Sequence, residues 1–306
     1  MPLYAGEIKL IIMAETKNIL ITGATGNIGH EVISYLNENK TDNAIFAGVR
    51  NIETAKKKVS YSDSVNWITF DFERPEYFDK AIKNIDRVFL IRPPHISNVK
   101  KYFSPFVKSM KRQGVKEIVF LSVQGAEKSN VIPHRKIEKL ILNSGLEYIF
   151  IRPSYFMQNL TTTLSEDIRK NHRIVLPAGR ARFNWVDGKN AGEVGAVLLE
   201  HFEYYANQEI DITGYENLNF YEVRDLMRKT LNIPLEYSSP DPVKYFFMKR
   251  REGVPTSKIL VMIMLHFLRR FQKDPSICEC YEQITGEKPT SLEKFLERER
   301  DLFKVD

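Results

Sequence analysis

Residues 18–32, NILITGATGNIGHEV, decide the fold of this 306-residue chain. An apolar run typical of a strand leads into Gly23, Gly26 and Gly29, and a helical pattern follows. In a strand-to-helix bend the first glycine permits the turn, the second lets backbone amides approach a diphosphate, and the third lets the helix pack on the strand. The helix N-terminus then directs partial positive charge at the phosphates. The stretch predicts a dinucleotide site rather than a plain structural turn, with a loop that includes Thr25, Asn27 and Ile28.

Apolar runs alternate with helical patterns up to residue 152. Runs that are apolar throughout suit a parallel sheet covered on both faces, so we expect a doubly wound α/β Rossmann sheet. The predicted strands are NILIT, AIFAGV, VNWITF, RVFLI, EIVFLS and EYIFI, and the predicted helices span 28–39, 52–58, 75–84, 98–113 and 133–143.

Beyond residue 152 the alternation weakens into helical segments mixed with brief strands. We therefore expect a Rossmann domain over residues 14–155 and a smaller mixed α+β C-terminal lobe over residues 156–306, with some of its elements returning to the sheet. Residues 1–13 are interpreted as a leader or disordered extension before a natural start at Met13.

Composition limits the classes of function. The net charge of +6, with 43% hydrophobic and 27% charged residues, is typical of a soluble globular protein. The basic residues form short clusters, such as residues 56–58, none of which is long enough for a nucleic-acid arm. A phosphate-bearing ligand is compatible with them, and a nucleic-acid partner is not expected.

Two further segments bear on location and partners. Cys278 and Cys280 are separated by one residue, a spacing that rarely forms an unstrained disulfide, so we expect free thiols and a cytoplasmic, reducing compartment. With six scattered histidines, the chain offers no metal site. Residues 257–271, SKILVMIMLHFLRRF, span only about 22 Å as a helix. We expect a buried or lid helix there, and no membrane partner.

The ends of the predicted strands indicate which dinucleotide binds. An Asp or Glu at the end of the second strand would select NAD, whereas this chain has Arg50 there, which favours NADP(H) through the 2′-phosphate. A solvated arginine is the alternative. Asp71 and Phe72 follow the third strand and are expected beside the adenine, although Asp71 also suits a helix cap before Pro75. The fourth strand end adds Ile91, Arg92 and Pro93 beside the central ribose.

Several motifs together resemble the NmrA-like branch of atypical short-chain dehydrogenases. The resemblance covers nearly the whole chain after Met13. It implies a Rossmann domain, NADP(H) binding and a small C-terminal lobe. It also implies two kinds of function, because some members reduce quinones or related carbonyl compounds and others bind the cofactor without turnover as redox-sensing regulators. The motifs are ITGATGNIG, AGVRN, FDFERPEYFDKAI, RVFLIRPP, IVFLSVQGA, HRKIEKLILNSGLEYIFIRPSYFMQNL and ITGEKPTSLEKFLER.

The catalytic set of ordinary short-chain dehydrogenases is incomplete here. Ser122 and Lys136 stand in matching positions and are the predicted catalytic residues, but the tyrosine position is Ile132. Lys136 also counts as a cofactor ligand on this resemblance, with a solvated lysine as the alternative. His134 and Tyr155 are candidate substitutes for the missing proton donor, and structural roles are the alternative for both.

The segment after the sixth strand completes the expected site. Pro153, Tyr155 and Phe156 are expected to flank the nicotinamide. On the substrate side the prediction places Gln124, Phe156, Asn159 and Trp185, with a core position as the alternative for Trp185. The sequence thus favours hydride transfer to a small quinone or carbonyl acceptor. A catalytically inactive NADP(H) sensor that regulates a protein partner remains the alternative, and Ile132 favours it.

Overall fold

The structure is a computed structural model that describes residues 16–304, so the leader expected at residues 1–13 lies outside the described residues. The strands are β1 (Asn18–Thr22), β2 (Ala44–Val49), β3 (Val65–Thr69), β4 (Arg87–Ile91), β5 (Glu117–Leu121), β6 (Glu147–Pro153), β7 (Tyr155–Phe156), β8 (Arg173–Val175), β9 (Phe183–Val186), β10 (Gln208–Ile212), β11 (Asn217–Leu218) and β12 (Glu236–Ser238).

The α-helices connect these strands and build the lobe. They are α1 (Asn27–Glu38), α2 (Ile52–Lys58), α3 (Phe78–Ala81), α4 (Val99–Gln113), α5 (Pro133–Leu142), α6 (Ser165–Asn171), α7 (Gly188–Glu200), α8 (Phe202–Tyr205), α9 (Phe220–Leu231), α10 (Pro242–Arg251), α11 (Thr256–Phe267), α12 (Cys280–Thr285) and α13 (Leu292–Arg298).

The central sheet has seven strands in the order β10-β6-β5-β4-β1-β2-β3, and every pairing in it is parallel. The predicted doubly wound Rossmann sheet is confirmed. Strand order reverses between β1 and β4, which places a crevice at their carboxyl ends, where such sheets bind ligands. Strand β10 comes from the region beyond residue 156 and pairs with β6.

Two apolar layers cover the sheet. One contains Val32 of α1 and Val194 of α7, and the other contains Phe103 of α4 and Ile137 of α5. All four side chains are fully buried or nearly so. Because both faces are covered, the inner strands β1, β2, β4, β5 and β6 read as nearly continuous apolar runs in the sequence.

Helices α1 and α7 approach each other at Gly192. A Cβ added at Gly192 would lie 2.4 Å from the Cβ of Glu31, so only a glycine fits this crossing. Helix α7 belongs to the region beyond residue 156, and this contact therefore joins that region to the first helix of the Rossmann sheet.

The C-terminal lobe has its own core around two small sheets, β11-β9-β7 and β12-β8. It is tied to the Rossmann sheet through Asp187, the fully buried N-cap of α7. Gln158 donates to its carboxylate at 2.7 Å, and Arg298 of α13 donates to it at 2.6 Å. The last α-helix thereby fixes the turn that follows β7.

One sequence expectation is wrong in this region and another is wrong in part. Cys278 and Cys280 are joined as a disulfide, because the backbone holds their Cα atoms 5.3 Å apart, within the normal range for a bridge. Cysteine usage therefore no longer argues for a reducing compartment. Helix α11 is not a buried helix, since only Ile259 and His266 in it are buried, and its alternative role as a lid stays a prediction. Within residues 16–304, no helix is long and apolar enough to cross a membrane.

Gly192→Ala is expected to lower the free energy of unfolding by about 1–3 kcal/mol, because the added methyl overpacks the α1–α7 crossing. The matched control is Lys189→Ala on the exposed side of the same helix, expected to stay within about 0.5 kcal/mol. Urea unfolding followed by circular dichroism measures both. Equal stability of the two variants would contradict the close approach.

Candidate functional site

The bend between β1 and α1 has the geometry that its glycines predict. Gly23 adopts a φ of +63°, and the Gly26 amide donates to the Gly23 carbonyl at 2.9 Å. A Cβ added at Gly29 would lie 2.4 Å from the Gly23 carbonyl oxygen. The bend is therefore closed by backbone alone, which leaves Gly23, Gly26 and Asn27 exposed at its mouth.

The N-terminus of α1 is open to an anion. Gly26 is its N-cap and supplies no side-chain cap, and the first turn contains no acidic residue. The first amides of a helix lack intrahelical partners and attract negative charge. The cradle of glycines and uncapped amides fits the diphosphate of a dinucleotide, and Thr25 and Ile28 lie within it.

Ile91 lies against this cradle, and its predicted place beside the central ribose stays a prediction. Its amide donates to Oγ1 of Thr22 at 2.8 Å, and its Cβ lies 3.5 Å from the position of a Cβ built on Gly23. This contact spans the switch between β1 and β4. The fourth strand end therefore forms one wall of the glycine cradle.

The sequence analysis missed a brace beneath the cradle. The Tyr61 hydroxyl donates to the Ala24 carbonyl at 2.6 Å, and Lys58 Nζ donates to the Thr25 carbonyl at 2.9 Å. His30 Nδ1 lies 3.1 Å from the Tyr61 hydroxyl. Burial raises the pKa of Tyr61, so it stays a hydrogen-bond donor at neutral pH. The one sequence signal near this brace is the basic cluster at residues 56–58, whose pattern does not predict a contact with the loop.

The second strand end presents a free cation. Arg50 is exposed and makes no hydrogen bond or ion pair with any residue in the described range 16–304. Lys58, at the end of the helix that follows, faces the Thr25 carbonyl. These two side chains add positive charge at the edge of the cradle.

The side chains that follow β3 make more contacts within the protein than predicted. Asp71 Oδ1 accepts from the Glu73 amide at 2.9 Å in a local turn, whereas the helical turn at Pro75 has Arg74 as its N-cap and no side-chain cap, so the helix-cap alternative is wrong. Phe72 is 3% exposed and packs on Phe103 and Phe106 in the apolar layer. A side-chain contact from Phe72 to a ligand is therefore closed off, and its adenine role stays a prediction for the backbone.

Arg92 shapes the loop after β4. Its guanidinium donates to the carbonyls of Pro93, Pro94 and Ile96 at 2.8–3.1 Å. Its Nε donates to Nε2 of His134 at 3.3 Å. Burial and the nearby Arg92 charge lower the pKa of His134 to about 3, so this imidazole is neutral and acts as an acceptor.

Ser122 belongs to a buried ionic cluster. Its hydroxyl donates to Glu138 at 2.7 Å, and Arg152 and Arg135 also donate to that carboxylate at 2.9–3.0 Å. Burial alone would raise the pKa of Glu138, but these hydrogen bonds outweigh it and hold the pKa below its ordinary value. Glu138 therefore stays charged, and the Ser122 hydroxyl uses its one O–H group to donate a hydrogen bond to that carboxylate.

Lys136 and Tyr155 lie in contrasting environments. Lys136 is exposed in the first turn of α5, and its amine has no partner among the described residues. The Tyr155 hydroxyl lies 3.0 Å from Nε2 of His266, whose side chain is buried. Burial raises the pKa of Tyr155 and lowers that of His266 to about 4, so both groups are neutral at pH 7.

The predicted substrate-side residues divide into two groups. Trp185 is fully buried, and its indole donates to the Leu218 carbonyl at 3.0 Å, which is the core position kept as its alternative. Phe156 and Asn159 are half-buried after β6. Gln124 donates its amide N–H to the Pro153 carbonyl at 2.9 Å, and its side chain donates to Asp211 at 3.1 Å. A backbone hydrogen bond thus holds Pro153 and Gln124 together, whereas the Trp185 side chain packs in the core of the lobe.

Metal chemistry has no local support. Among the described residues, no three His, Cys, Asp or Glu side chains lie close enough to share an ion. Apart from Arg50 and Lys136, the titratable groups described above are engaged with one another or with backbone groups.

Comparison with known proteins identifies the family. The sequence model of the NmrA-like family matches residues 15–294. The chain belongs to the NmrA-like family. The match includes the glycine cradle, the α5 region and nearly all of the C-terminal lobe, so the predicted resemblance is confirmed.

Two curated relatives of this NmrA-like chain match it over nearly their whole length. Prestalk A differentiation protein A from Dictyostelium discoideum is 28% identical over 93% of each chain. An NAD(P)H azoreductase from Xenophilus azovorans is 24% identical over 90% of this chain and 96% of its own.

Solved structures share the fold at low identity. A triphenylmethane reductase from Citrobacter sp., complexed with NADP(H), superposes with a TM-score of 0.79 at 22% identity, over 92% of this chain and 99% of its own. An NADPH-dependent quinone oxidoreductase from Escherichia coli, complexed with NADPH, gives a TM-score of 0.79 at 18% identity over the same shares. These likenesses establish the NmrA-like fold, and both of those proteins bind the phosphorylated dinucleotide.

Glu138→Gln is expected to lower the free energy of unfolding by about 2–4 kcal/mol at pH 7, because it leaves Arg135 and part of Arg152 without a counter-charge. A carboxylate with a lowered pKa stabilises the folded state above its unfolded pKa of about 4.3. The deficit of the variant should therefore be full at pH 7 and shrink as the pH falls below about 4.

The control for this experiment is Glu147→Gln, an exposed carboxylate that begins β6. It should change the free energy of unfolding by less than about 0.5 kcal/mol. Denaturant unfolding between neutral and acid pH checks both variants, and a Glu138→Gln deficit that grows in acid would overturn the assignment of the charged state.

Proposed function

We propose that this protein binds NADP(H) in the glycine cradle and uses it to reduce a small quinone. The observation that carries the proposal is the backbone-closed bend of residues 23–29, which leaves uncapped helix amides facing a crevice at the sheet's switch point. Family membership and NADP(H)-binding neighbours of the same fold support it.

The phosphorylated cofactor is favoured by charge at the second strand end. Arg50 has no partner in the described part of the chain, and no carboxylate stands at that strand end to bind a ribose hydroxyl. Lys58 lies beside the same loop. A guanidinium binds a phosphate monoester with charge-assisted hydrogen bonds, and an uncharged ribose hydroxyl offers no such partner.

The cofactor residues proposed along the crevice follow the strand ends. Gly23, Thr25, Gly26, Asn27, Ile28 and Gly29 would hold the diphosphate, and Arg50 the 2′-phosphate. Asp71 and the Phe72 backbone would lie beside the adenine, Ile91, Arg92 and Pro93 beside the central ribose, and Pro153, Tyr155, Phe156 and Lys136 on the nicotinamide side. When bound, the reduced nicotinamide supplies a hydride to the acceptor.

The acceptor class is inferred from the groups that would have to supply a proton. Ile132 replaces the usual tyrosine, His134 is neutral and accepts from Arg92, and the Tyr155 hydroxyl is held by His266. None of these three is a competent general acid at neutral pH. A quinone accepts hydride readily and its weakly basic oxyanion takes a proton from water, whereas a simple ketone yields a strongly basic alkoxide.

Lys136 is proposed to act on the oxyanion of the acceptor, and three other residues are proposed to position or flank the reacting groups. Lys136 is exposed with no partner in the described range, so its ammonium is available to a ribose hydroxyl or to the developing oxyanion. Ser122 is proposed as a positioning residue, because its hydroxyl is held by Glu138. Phe156 and Asn159 are proposed to flank the ring of the acceptor.

A catalytically inactive sensor is the second candidate, and Ile132 is the observation that favours it. An isoleucine at the N-cap of α5 supplies neither an acid nor a hydrogen bond to an oxyanion. Such a protein would bind the same cofactor through the same residues and act through a protein partner. The two candidates differ only in turnover.

Arg50→Gln is expected to weaken NADPH binding by about ten- to a hundredfold and to leave NADH binding unchanged. Nicotinamide fluorescence titration measures both affinities. Lys83→Gln, an exposed lysine away from the strand ends, is the matched control and should change neither. An unchanged NADPH-to-NADH ratio in Arg50→Gln would remove the argument for the phosphorylated cofactor.

NADPH oxidation is expected with small quinones and to be absent with simple aliphatic ketones. Lys136→Met should lower the quinone turnover by about tenfold or more, because a charge near the oxyanion is lost. Absorbance loss at the reduced-nicotinamide band follows the reaction. The control is Lys139→Met, which removes an exposed lysine three residues further along α5.

Turnover with both acceptor classes would contradict the inference about the missing acid. Intact NADPH binding with no quinone turnover would favour the sensor.

A further inference from the structure

The outer face of α11 carries an apolar stripe that the fold does not use. Its members on the helix are Leu260, Val261, Met264 and Leu265, each between 38% and 54% exposed, and Leu268 and Phe271 extend it just beyond the helix at 49% and 75% exposure. At 100° per residue these positions fall within an arc of roughly 140° on one side. The opposite side packs into the lobe through Ile259 and His266.

The segment that carries the α11 stripe is basic, and the nearest acidic residues in sequence, Glu252 and Asp274, flank it on either side. Residues 253–273 contain Lys258, Arg269, Arg270 and Lys273 and no Asp or Glu. A surface that buries the stripe must therefore accept several cations at its rim. Two copies of this chain joined through the stripe would bring like charges together with no acidic residue in the segment to pair with them.

An arginine cleft adjoins the C-terminal end of the stripe. It has a volume of about 600 Å³, and four arginines line it together with Tyr221 and Asp274. The arginines are Arg180, Arg182, Arg269 and Arg270. None of the residues predicted to hold the cofactor or the substrate lines this cleft, which separates it from the candidate functional site.

Two of the four arginines have no carboxylate partner, and Asp274, which also lines the cleft, offsets part of the charge on Arg269. Arg182 pairs with Glu222 at 2.5 Å, but Arg269 donates to the carbonyls of Arg182 and Lys273 and to the Gln272 side chain. Arg180 lies over the Tyr221 ring and Arg270 over the Phe267 ring, and neither has a carboxylate partner within residues 16–304. Guanidinium groups in this arrangement bind phosphate oxygens well.

We propose that the α11 stripe and the arginine cleft dock this protein on an anionic lipid bilayer. The stripe would enter the headgroup–acyl boundary lying flat, and the cleft would take a lipid phosphate. A single convex helix face with a cationic rim suits a lipid interface, whereas a folded protein partner would need a matching groove. At about 18 Å, α11 is too short to span the hydrocarbon core, so the protein lies on the membrane.

Co-sedimentation with vesicles tests this docking. We expect the intact protein to sediment with phosphatidylcholine vesicles containing about 30% phosphatidylserine, to stay in solution with phosphatidylcholine alone, and to be released at about 0.5 M salt. Leu265→Gln/Leu268→Gln and Arg180→Gln/Arg270→Gln should each weaken the partitioning by about tenfold or more.

Matched controls separate docking from general surface effects. Leu302→Gln removes an equally exposed leucine far from α11 in sequence, and Arg112→Gln removes an exposed arginine of α4, so both should sediment like the unaltered protein. Thermal unfolding by circular dichroism verifies that every variant folds.

Three results would overturn the proposal. They are no sedimentation with the anionic vesicles, equal losses in the control variants, and a dimer in size-exclusion chromatography that Leu265→Gln/Leu268→Gln dissociates. None of these readouts depends on cofactor binding or turnover, so the proposed reductase activity stands or falls separately.

Discussion

The structure depends on the contact between Gly29 and the Gly23 carbonyl. A side chain at residue 29 would meet that oxygen at 2.4 Å, so the first helix reaches this position over the sheet only because the residue has no Cβ. The same contact turns the uncapped amides of α1 toward the crevice between β1 and β4. Fold and binding site are thus consequences of one steric constraint, and the brace from Tyr61 and Lys58 holds the loop that the constraint creates.

The ionisable groups near the crevice are largely committed to structure. Glu138 accepts hydrogen bonds from Ser122, Arg135 and Arg152. Arg92 donates its hydrogen bonds to loop carbonyls and to His134. Lys136 and Arg50 are the exceptions, because both are exposed without partners in the described range. The site therefore offers cations for binding and orientation and lacks a strong acid. That balance is the physical reason for preferring an easily reduced acceptor, and it is also why cofactor binding without turnover is the competing account.

The sequence predicted what local pattern controls. The strand-to-helix bend and the parallel sheet follow from residue type and order, and the doubly wound sheet is confirmed. The features that the sequence did not predict depend on contacts between residues far apart in the chain. Tyr61 reaches Ala24 across 37 positions, and Glu138 meets Arg152 only after α5 docks on the sheet. Trp185 and Tyr155 belong to segments expected at the site, yet their side chains point into the lobe core. Alternation along so short a strand does not predict which face each side chain takes. The exposed face of α11 likewise reads as core in the sequence.

Calorimetric titration of NADP⁺ into the purified, folded protein tests the central claim most directly. The account predicts saturable heat with one nucleotide per chain, and its loss in Gly26→Asp, which places a carboxylate at the mouth of the cradle. No heat from a protein whose thermal unfolding is cooperative would contradict the account, because every functional assignment along the crevice presumes that the cradle binds a dinucleotide.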